Sequence, residues 1–305
     1  MIVDPADEYR HTALRQPHWE ESWSFELWLD DGSLGAAVRL ALRPHEGRAW
    51  YWAHLVGSRR PVVAVRDHDV PLPRGRPLEV RSEGLWAEVV CETPLDHWSM
   101  GLEAFGVALD DPTEAYRGER GDRVALGLDL EWEAASPALP LISGEDGYEQ
   151  ASVVHGQVLV GAERIDVDGR GRREHVWGTR DWWGGRWCRL TGALDGGCRF
   201  GTFAASQPPG TARVSDQDGR PAADPGAPLP FELDPDAGPG LDGLVRRGTA
   251  RLGDSRLDIA PLAHAPVLVE GDGGRASLLA RALCRYELNE RGGWGWAEWL
   301  QPAGG

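Results

Sequence analysis

The sequence predicts an all-β protein built of closed antiparallel barrels, and three observations carry that expectation. Apolar residues recur at every second position along most of the 305-residue chain, the period of a half-buried strand. Hardly any window of ten or more residues carries a helical period, 278–285 being the most ambiguous. The runs are punctuated by 40 glycines and 22 prolines, the residues that end strands and build turns.

Taken in order, the first clear strand holds Trp23, Phe25, Leu27 and Leu29 in step and ends at DDGS (30–33), a hairpin turn. LGAAVRLAL (34–42) follows with Leu34, Ala36, Val38, Leu40 and Leu42 on one face. The cleanest alternation is VALGLDLEWE (124–133), with Val124, Leu126, Leu128, Leu130 and Trp132 in step. Further strands are expected over 50–56, 61–66, 78–82, 84–91, 98–107, 152–160, 163–167, 173–183, 187–194 and 198–205. The last set covers 211–215, 245–251, 255–260, 266–270, 278–288 and 294–300. A break rich in Pro, Ala and Gly, EAASPALPLISGEDG (133–147), marks a domain boundary and divides the chain into residues 1–138 and 139–305. The acidic Pro/Gly-rich stretch 207–243 is expected as mobile loops on the rim of the second domain. Each half then holds about eight short strands, which favours closure because a barrel has no edges to protect. Barrels of about eight strands leave room for one small apolar ligand.

Composition narrows the function. A net charge of −16 repels phosphate backbones and anionic bilayers, so nucleic-acid and membrane-surface roles are not expected. No signal-peptide pattern opens the chain and no stretch is apolar enough to span a bilayer, so a cytoplasmic protein is expected. Cys91, Cys188, Cys198 and Cys284 form no Cys-x-x-Cys pair and read as core thiols, and no metal site is expected. All 32 basic residues are arginine, which excludes Schiff-base and phosphate-loop lysines. Most of the 15 tryptophans read as packing residues in a composition biased toward Gly, Ala, Arg and Trp.

The chemistry concentrates in REHVWGTRDWWGG (173–185). On a strand, His175, Trp177, Thr179, Asp181 and Trp183 share one face, and Glu174, Val176, Arg180 and Trp182 the other, unless Gly178 makes a bulge. An apolar surround would raise the pKa of Asp181 toward that of a general acid, whereas Arg180 beside it would hold it ionised as a plain ion pair. Two distant strands repeat the theme: Glu21 lies in register with Trp19, Trp23 and Phe25, and Glu298 with Trp294 and Trp296. Three acids on Trp-rich faces point to one pocket; the competing reading is that arginines tie Glu21 and Glu298 into the barrel ends. Indole faces also suit cationic intermediates. No nucleophile elbow, His-Glu-x-x-His or dinucleotide fingerprint occurs, and no cofactor is expected.

The stretch 169–183 fits Gly-x-Gly-x-Arg-x-His-x-Trp-Gly-x-Arg-x-Trp through Gly169, Gly171, Arg173, His175, Trp177, Gly178, Arg180 and Trp182. With an opening Trp-x-Glu-Ser (Trp19, Glu21, Ser22) and a closing Gly-x-Gly-x-x-Glu (Gly293, Gly295, Glu298), the chain resembles the carotenoid 1,2-hydratase (hydroxyneurosporene synthase) and AttH-like superfamily, in an uncharacterised bacterial branch. The resemblance implies two tandem lipocalin-like barrels with the motif near their junction. It also implies cofactor-free hydration or cyclisation of apolar molecules, with His175 and Trp177 involved. Where the hydratases carry a downstream Tyr-x-Asp, this chain reads CRFGTFAAS (198–206), with neither residue.

Together these readings lead to an enzyme, a lyase or an isomerase/cyclase, that binds a terpenoid, polyene or polyketide-like molecule and promotes hydration, cyclisation or isomerisation by acid catalysis. Asp181 or Glu298 would be the acid and His175 its proton partner. Trp177, Trp182, Trp183, Trp23 and Trp296 would form the aromatic wall, with Glu21 and Arg180 beside them. A non-catalytic carrier or sensor of a lipophilic molecule is the second reading, and a carbohydrate-active β-sandwich the third.

Overall fold

The computed structural model describes residues 3–75, 77–205, 209–216 and 228–303. Most of these residues lie in strands; the helical turns among them are four short 3₁₀ pieces, the first at Pro5–Glu8. No helix among the described residues is long and apolar enough to cross a membrane.

The first sheet comprises β1 (Trp19–Trp28), β2 (Gly35–Arg43), β3 (Arg48–Val56), β4 (Val62–Pro71), β5 (Leu78–Ser82), β6 (Leu85–Thr93), β7 (His97–Leu109), β8 (Asp122–Ala134), β9 (Leu139–Pro140), β10 (Gly147–Val160) and β11 (Glu163–Thr179). Its order β4-β3-β2-β1-β11-β10-β8-β7 closes into an eight-stranded antiparallel barrel where Val62–Ala64 pair with Val107–Leu109. The second sheet comprises β12 (Trp187–Leu194), β13 (Arg199–Ala205), β14 (Gly210–Ser215), β15 (Leu229–Leu233), β16 (Gly248–Leu252), β17 (Ser255–His264), β18 (Val267–Gly271), β19 (Arg275–Leu288) and β20 (Arg291–Pro302). It closes through β17 and β19, with β18 flanking β19. The architecture is therefore two tandem lipocalin-like barrels.

Sheet membership does not follow the Pro-rich break. β10 and β11 belong to the first barrel, so the division at 138/139 falls inside its sheet, and the change of sheet comes after Thr179. β11 also runs unbroken through the glycines that separate 163–167 from 173–183. A Cβ on Gly171 would come 2.5 Å from Glu26 O and Val154 Cγ2, and one on Gly169 would come 2.7 Å from Trp28 O. These motif glycines admit neighbouring atoms and make no turn. Of the expected loop 207–243, residues 207–208 and 217–227 lie outside the described residues; the described part is not all loop, because β14 and β15 run through it and pair with each other, β14 also with β13.

The interior of the first barrel is filled. Trp23, Phe25 and Leu27 of β1 meet Trp98, Met100 and Leu102 of β7 and Leu128, Leu130 and Trp132 of β8, as expected when eight strands enclose only their own side chains. The outer faces of β1–β3 are buried too, because the second barrel packs on them. Trp28 and Ala37 meet Leu283, Trp294 and Trp296, while Trp50 and Trp52 meet Trp182, Val267 and Leu279. Tryptophan thus serves mainly as barrel core and inter-barrel filling. The four cysteines are free, three of them buried.

Candidate functional site

The motif strand β11 has one face in each of two environments. Register pairs Trp23 with His175, Phe25 with Arg173 and Glu21 with Trp177, so these alternate residues face the first barrel's interior and mouth. Across that mouth lies the N-terminal segment. Its buried Glu8 takes Arg173 at 2.5 and 3.0 Å, Tyr148 Oη at 2.7 Å, Trp98 Nε1 at 2.9 Å and the Leu95 amide at 2.7 Å. Three residues on, His11 stacks on Trp177 at 3.8 Å between centroids, and both its backbone N–H and its Nδ1 lie 2.8 Å from Glu21 Oε1. His175 lies fully buried against the Trp23 ring at 4.4 Å, its Nε2 3.1 Å from Glu21 Oε1 and its Nδ1 2.7 Å from the Asp7 carbonyl. Burial lowers its pKa, outweighing Glu21.

The other face of β11 forms a charged seam between the barrels. Arg189 of β12 reaches Glu174 of β11 and donates to Glu298 of β20 at 2.5 and 3.0 Å, and Arg281 of β19 pairs with Glu298 at 2.7 Å and Glu26 at 2.9 Å. Burial alone would raise Glu298, but Arg189 and Arg281 outweigh it and bring its carboxyl down to about 2. Glu26 goes the other way: burial, with Glu298 nearby, pushes it up against Arg172 and Arg281. Nearby, burial of Glu20 is overcome by Arg39 and Arg43, and Trp182 Nε1 donates to it at 2.9 Å.

These facts redistribute the expected site residues. His175, Glu21, Trp23 and Trp177 come together at the first barrel's mouth. Glu298 lies in the seam as an ionised partner of arginines, the reading that tied it to a barrel end, and not as a protonated acid. Asp181 joins neither group: β11 ends at Thr179, and the exposed Asp181 carboxylate accepts from the Trp183 and Gly184 amides at 2.8 and 3.0 Å, a tight turn. Arg180 does not pair with Asp181; it meets Glu145 at 3.5 Å and lies over the Trp182 ring at 4.8 Å. Trp182 and Trp296 are inter-barrel filling, and Trp183 packs beside Gly271 of β18. A single pocket shared by the three acids is therefore not formed. Gly178 has φ +121°, and beyond it the face parity is lost.

A hollow of about 200 Å³ adjoins Trp177, Gly178 and Arg180 but is walled mostly by polar groups, and an apolar-walled space lies elsewhere along the junction. A cleft of about 290 Å³ runs between β10–β11 and β12–β14. Trp28, Pro137, Leu139, Val153, Ala193 and Phe200 give it an apolar wall, and Arg170, Arg172, Arg199, Arg213 and Glu149 are its charged groups. Glu149 accepts from Arg172 Nε at 2.8 Å and stands 3.7 Å from Arg213 Nη1. Glycine shapes the wall, since a Cβ on Gly201 would sit 3.3 Å from Glu149 Oε1. The departing stretch CRFGTFAAS contributes Phe200 and Gly201 here. Sequence reading missed Glu149, Arg172 and Trp28 because they lie on the solvent-type parity of their strands, which the second barrel covers. It missed Glu8 and His11 because they precede the first strand, where no periodicity marks them.

Two tandem antiparallel barrels make up the described chain, and solved structures share that architecture. A protein assigned as an AttH from Nitrosomonas europaea superposes with a TM-score of 0.62 at 14% identity, covering 94% of this chain and 97% of that one. Kievitone hydratase from Nectria haematococca gives 0.63 at 12% identity, covering 98% and 93%. CghA, solved with Sch210972, gives 0.58 at 12% identity, covering 95% and 90%. At such identities the likeness is one of fold. By sequence, residues 4–303 match the family model described as "Domain of unknown function (DUF7064)", and the chain belongs to that family. No curated protein matches the sequence.

Proposed function

We propose that the protein is a hydratase- or cyclase-type enzyme acting, without a cofactor, on an apolar terpenoid, polyene or polyketide-like molecule held in the inter-barrel cleft. The observation that carries this is the cleft itself. Its volume of about 290 Å³ is close to the lower end of small-molecule sites, ~300–1,000 Å³. Its apolar wall meets one carboxylate flanked by guanidinium groups, the pattern of a site that grips a greasy body and orients a polar end. Kievitone hydratase and CghA, which share the fold, lend the reaction class.

The polar groups suggest how it would work. Protonating an isolated alkene demands a neutral acid, and Glu149 is instead an acceptor for Arg172. Arginine N–H groups can hydrogen-bond a substrate carbonyl and stabilise negative charge that develops on its oxygen. The arrangement therefore suits a double bond conjugated to a carbonyl. With that carbonyl polarised, Glu149 orients water for addition, or the polarised diene system closes on itself with Trp28 and Phe200 covering its faces.

Incubation with conjugated polyene ketones, followed by chromatography and mass spectrometry, tests this reading. A gain of one water indicates hydration, and an unchanged mass with altered retention indicates cyclisation or isomerisation. Ala193→Trp, which fills the cleft, should abolish either. Binding with unchanged mass and retention throughout would replace the enzyme with a carrier.

A further inference from the structure

His11, Glu21 and His175 reach one point from three parts of the chain: the N-terminal segment, β1 and β11. One ring nitrogen of each histidine and a Glu21 carboxylate oxygen all lie within 4.8 Å of one another. Glu21 is 1% exposed and His175 not at all, while His11 is a quarter exposed at 24% and gives the point an access route from solvent.

The hydrogen bonding around His175 is incomplete by one positive charge. Its Nδ1 faces the Asp7 carbonyl at 2.7 Å and its Nε2 faces Glu21 Oε1 at 3.1 Å, and both partners are acceptors. A neutral imidazole carries one N–H and one lone pair. Whichever nitrogen holds the hydrogen, the other lone pair points at an oxygen. With Nδ1–H donated to the backbone, the bare Nε2 is presented beside a carboxylate and a second imidazole. That is the arrangement of a metal-ligating histidine, whose other nitrogen is held by a carbonyl.

We infer that His11, Glu21 and His175 form a binding site for a divalent zinc-class cation that pins the N-terminal segment across the mouth of the first barrel. Two imidazoles and one carboxylate are a known donor set for zinc, with water in the fourth position. Ligand bonds of ~2.0–2.2 Å in a tetrahedron separate donors by about 3.3 Å. The present separations of 2.8 and 3.1 Å to Glu21 need to open by a few tenths of an ångström, and the two histidine nitrogens, within 4.8 Å of each other, settle to the same spacing as the partly exposed His11 turns. Trp177 on His11 and Trp23 on His175 fix the ring planes from outside. None of the cleft residues takes part, so this inference stands apart from the proposed activity.

The test uses full-length, tag-free protein stripped with chelator and titrated with Zn²⁺ by calorimetry and with Co²⁺ by visible absorption. One equivalent should bind, with the d–d bands of a four-coordinate site, and Zn²⁺ should raise Tm and slow amide exchange in residues 3–18. His11→Ala, in a partly exposed residue whose loss the barrel should survive, should weaken binding by more than the ~10–100-fold that losing an outer partner costs. Glu21→Gln should do the same, and His155→Ala, on the exposed face of β10, should change nothing. Failure to bind either ion at one equivalent would overturn the inference. Uptake unaltered in both His11→Ala and Glu21→Gln would overturn it as well.

Discussion

Glu174 of the first barrel and Glu298 of the second share one guanidinium, that of Arg189. All three are at most 15% exposed in their side chains, so this bridge locks the barrels together in a dry seam. Removing one partner of such a set leaves charge without compensation, which costs ~3–5 kcal/mol. Glu298→Gln should lower stability by about that much in denaturant titration, without altering the far-ultraviolet signature of the strands.

The same seam sets the acid limit. Glu298 titrates near 4.5 when unfolded and at about 2 when folded. A lowered carboxyl contributes stability above its unfolded pKa and loses it as pH falls through the folded one, so the loss should run from about pH 4.5 down to about 2. Glu26, pushed up by burial, acts in the opposite sense, its contribution being fully present at low pH. Glu26→Gln should therefore steepen the acid loss and Glu298→Gln flatten it. Acid-unfolding curves of the two variants that coincide with the wild type would disprove the assignment.

Glu8 and Arg173 are 165 residues apart and form a second buried pair, on the inner side of the same strand. Glu8→Ala leaves the Arg173 guanidinium without a counter-charge, with only Gln150 and Tyr148 as acceptors, and takes the acceptor from Trp98 Nε1 and the Leu95 amide. A loss of ~3–5 kcal/mol is expected, with proteolysis of the N-terminal segment preceding global unfolding.

Gly171→Ala should prevent proper closure of the first barrel, because its Cβ would come 2.5 Å from a backbone oxygen and 2.9 Å from Trp132 Nε1. Gly185, where an added methyl group would meet nothing within 4 Å, should accept alanine with little change. Thermal melts of the two variants discriminate a steric requirement from a general preference for glycine.

Asp181→Ala removes a turn acceptor for two amides and should cost ~1 kcal/mol, leaving product formation intact. Abolished turnover in a variant of near-native stability would restore Asp181 to the chemistry.

Much of this fold was legible because a period of two survives wherever one face of a strand meets a packed interior. Trp23, Phe25 and Leu27 announced β1, and Val124 through Trp132 announced β8. The resemblance carried by Gly169 to Trp182 foretold the tandem barrels. Less legible was what covers the outer faces: Arg172, Glu149 and Glu26 look solvent-bound until a second barrel is laid against them. The grouping of Asp181 with His175 failed for a local reason, since Gly178 and the end of β11 break the alternation that the reading extended to Trp183. His11 and Glu8 left no trace, because a segment lying across a barrel mouth obeys no period.

The strand order also constrains synthesis. β1 pairs with β2 on one side and β11 on the other, and β8 pairs with β7 and β10. A nascent chain that has emerged only to residue 138 therefore exposes two bare strand edges, ready to pair with another molecule. Closure needs β10 and β11, whose pairing runs to residue 179. A two-piece expression strategy cut at 138/139 would yield aggregating halves, whereas one cut between Thr179 and Trp187 would release a first barrel with every strand in place.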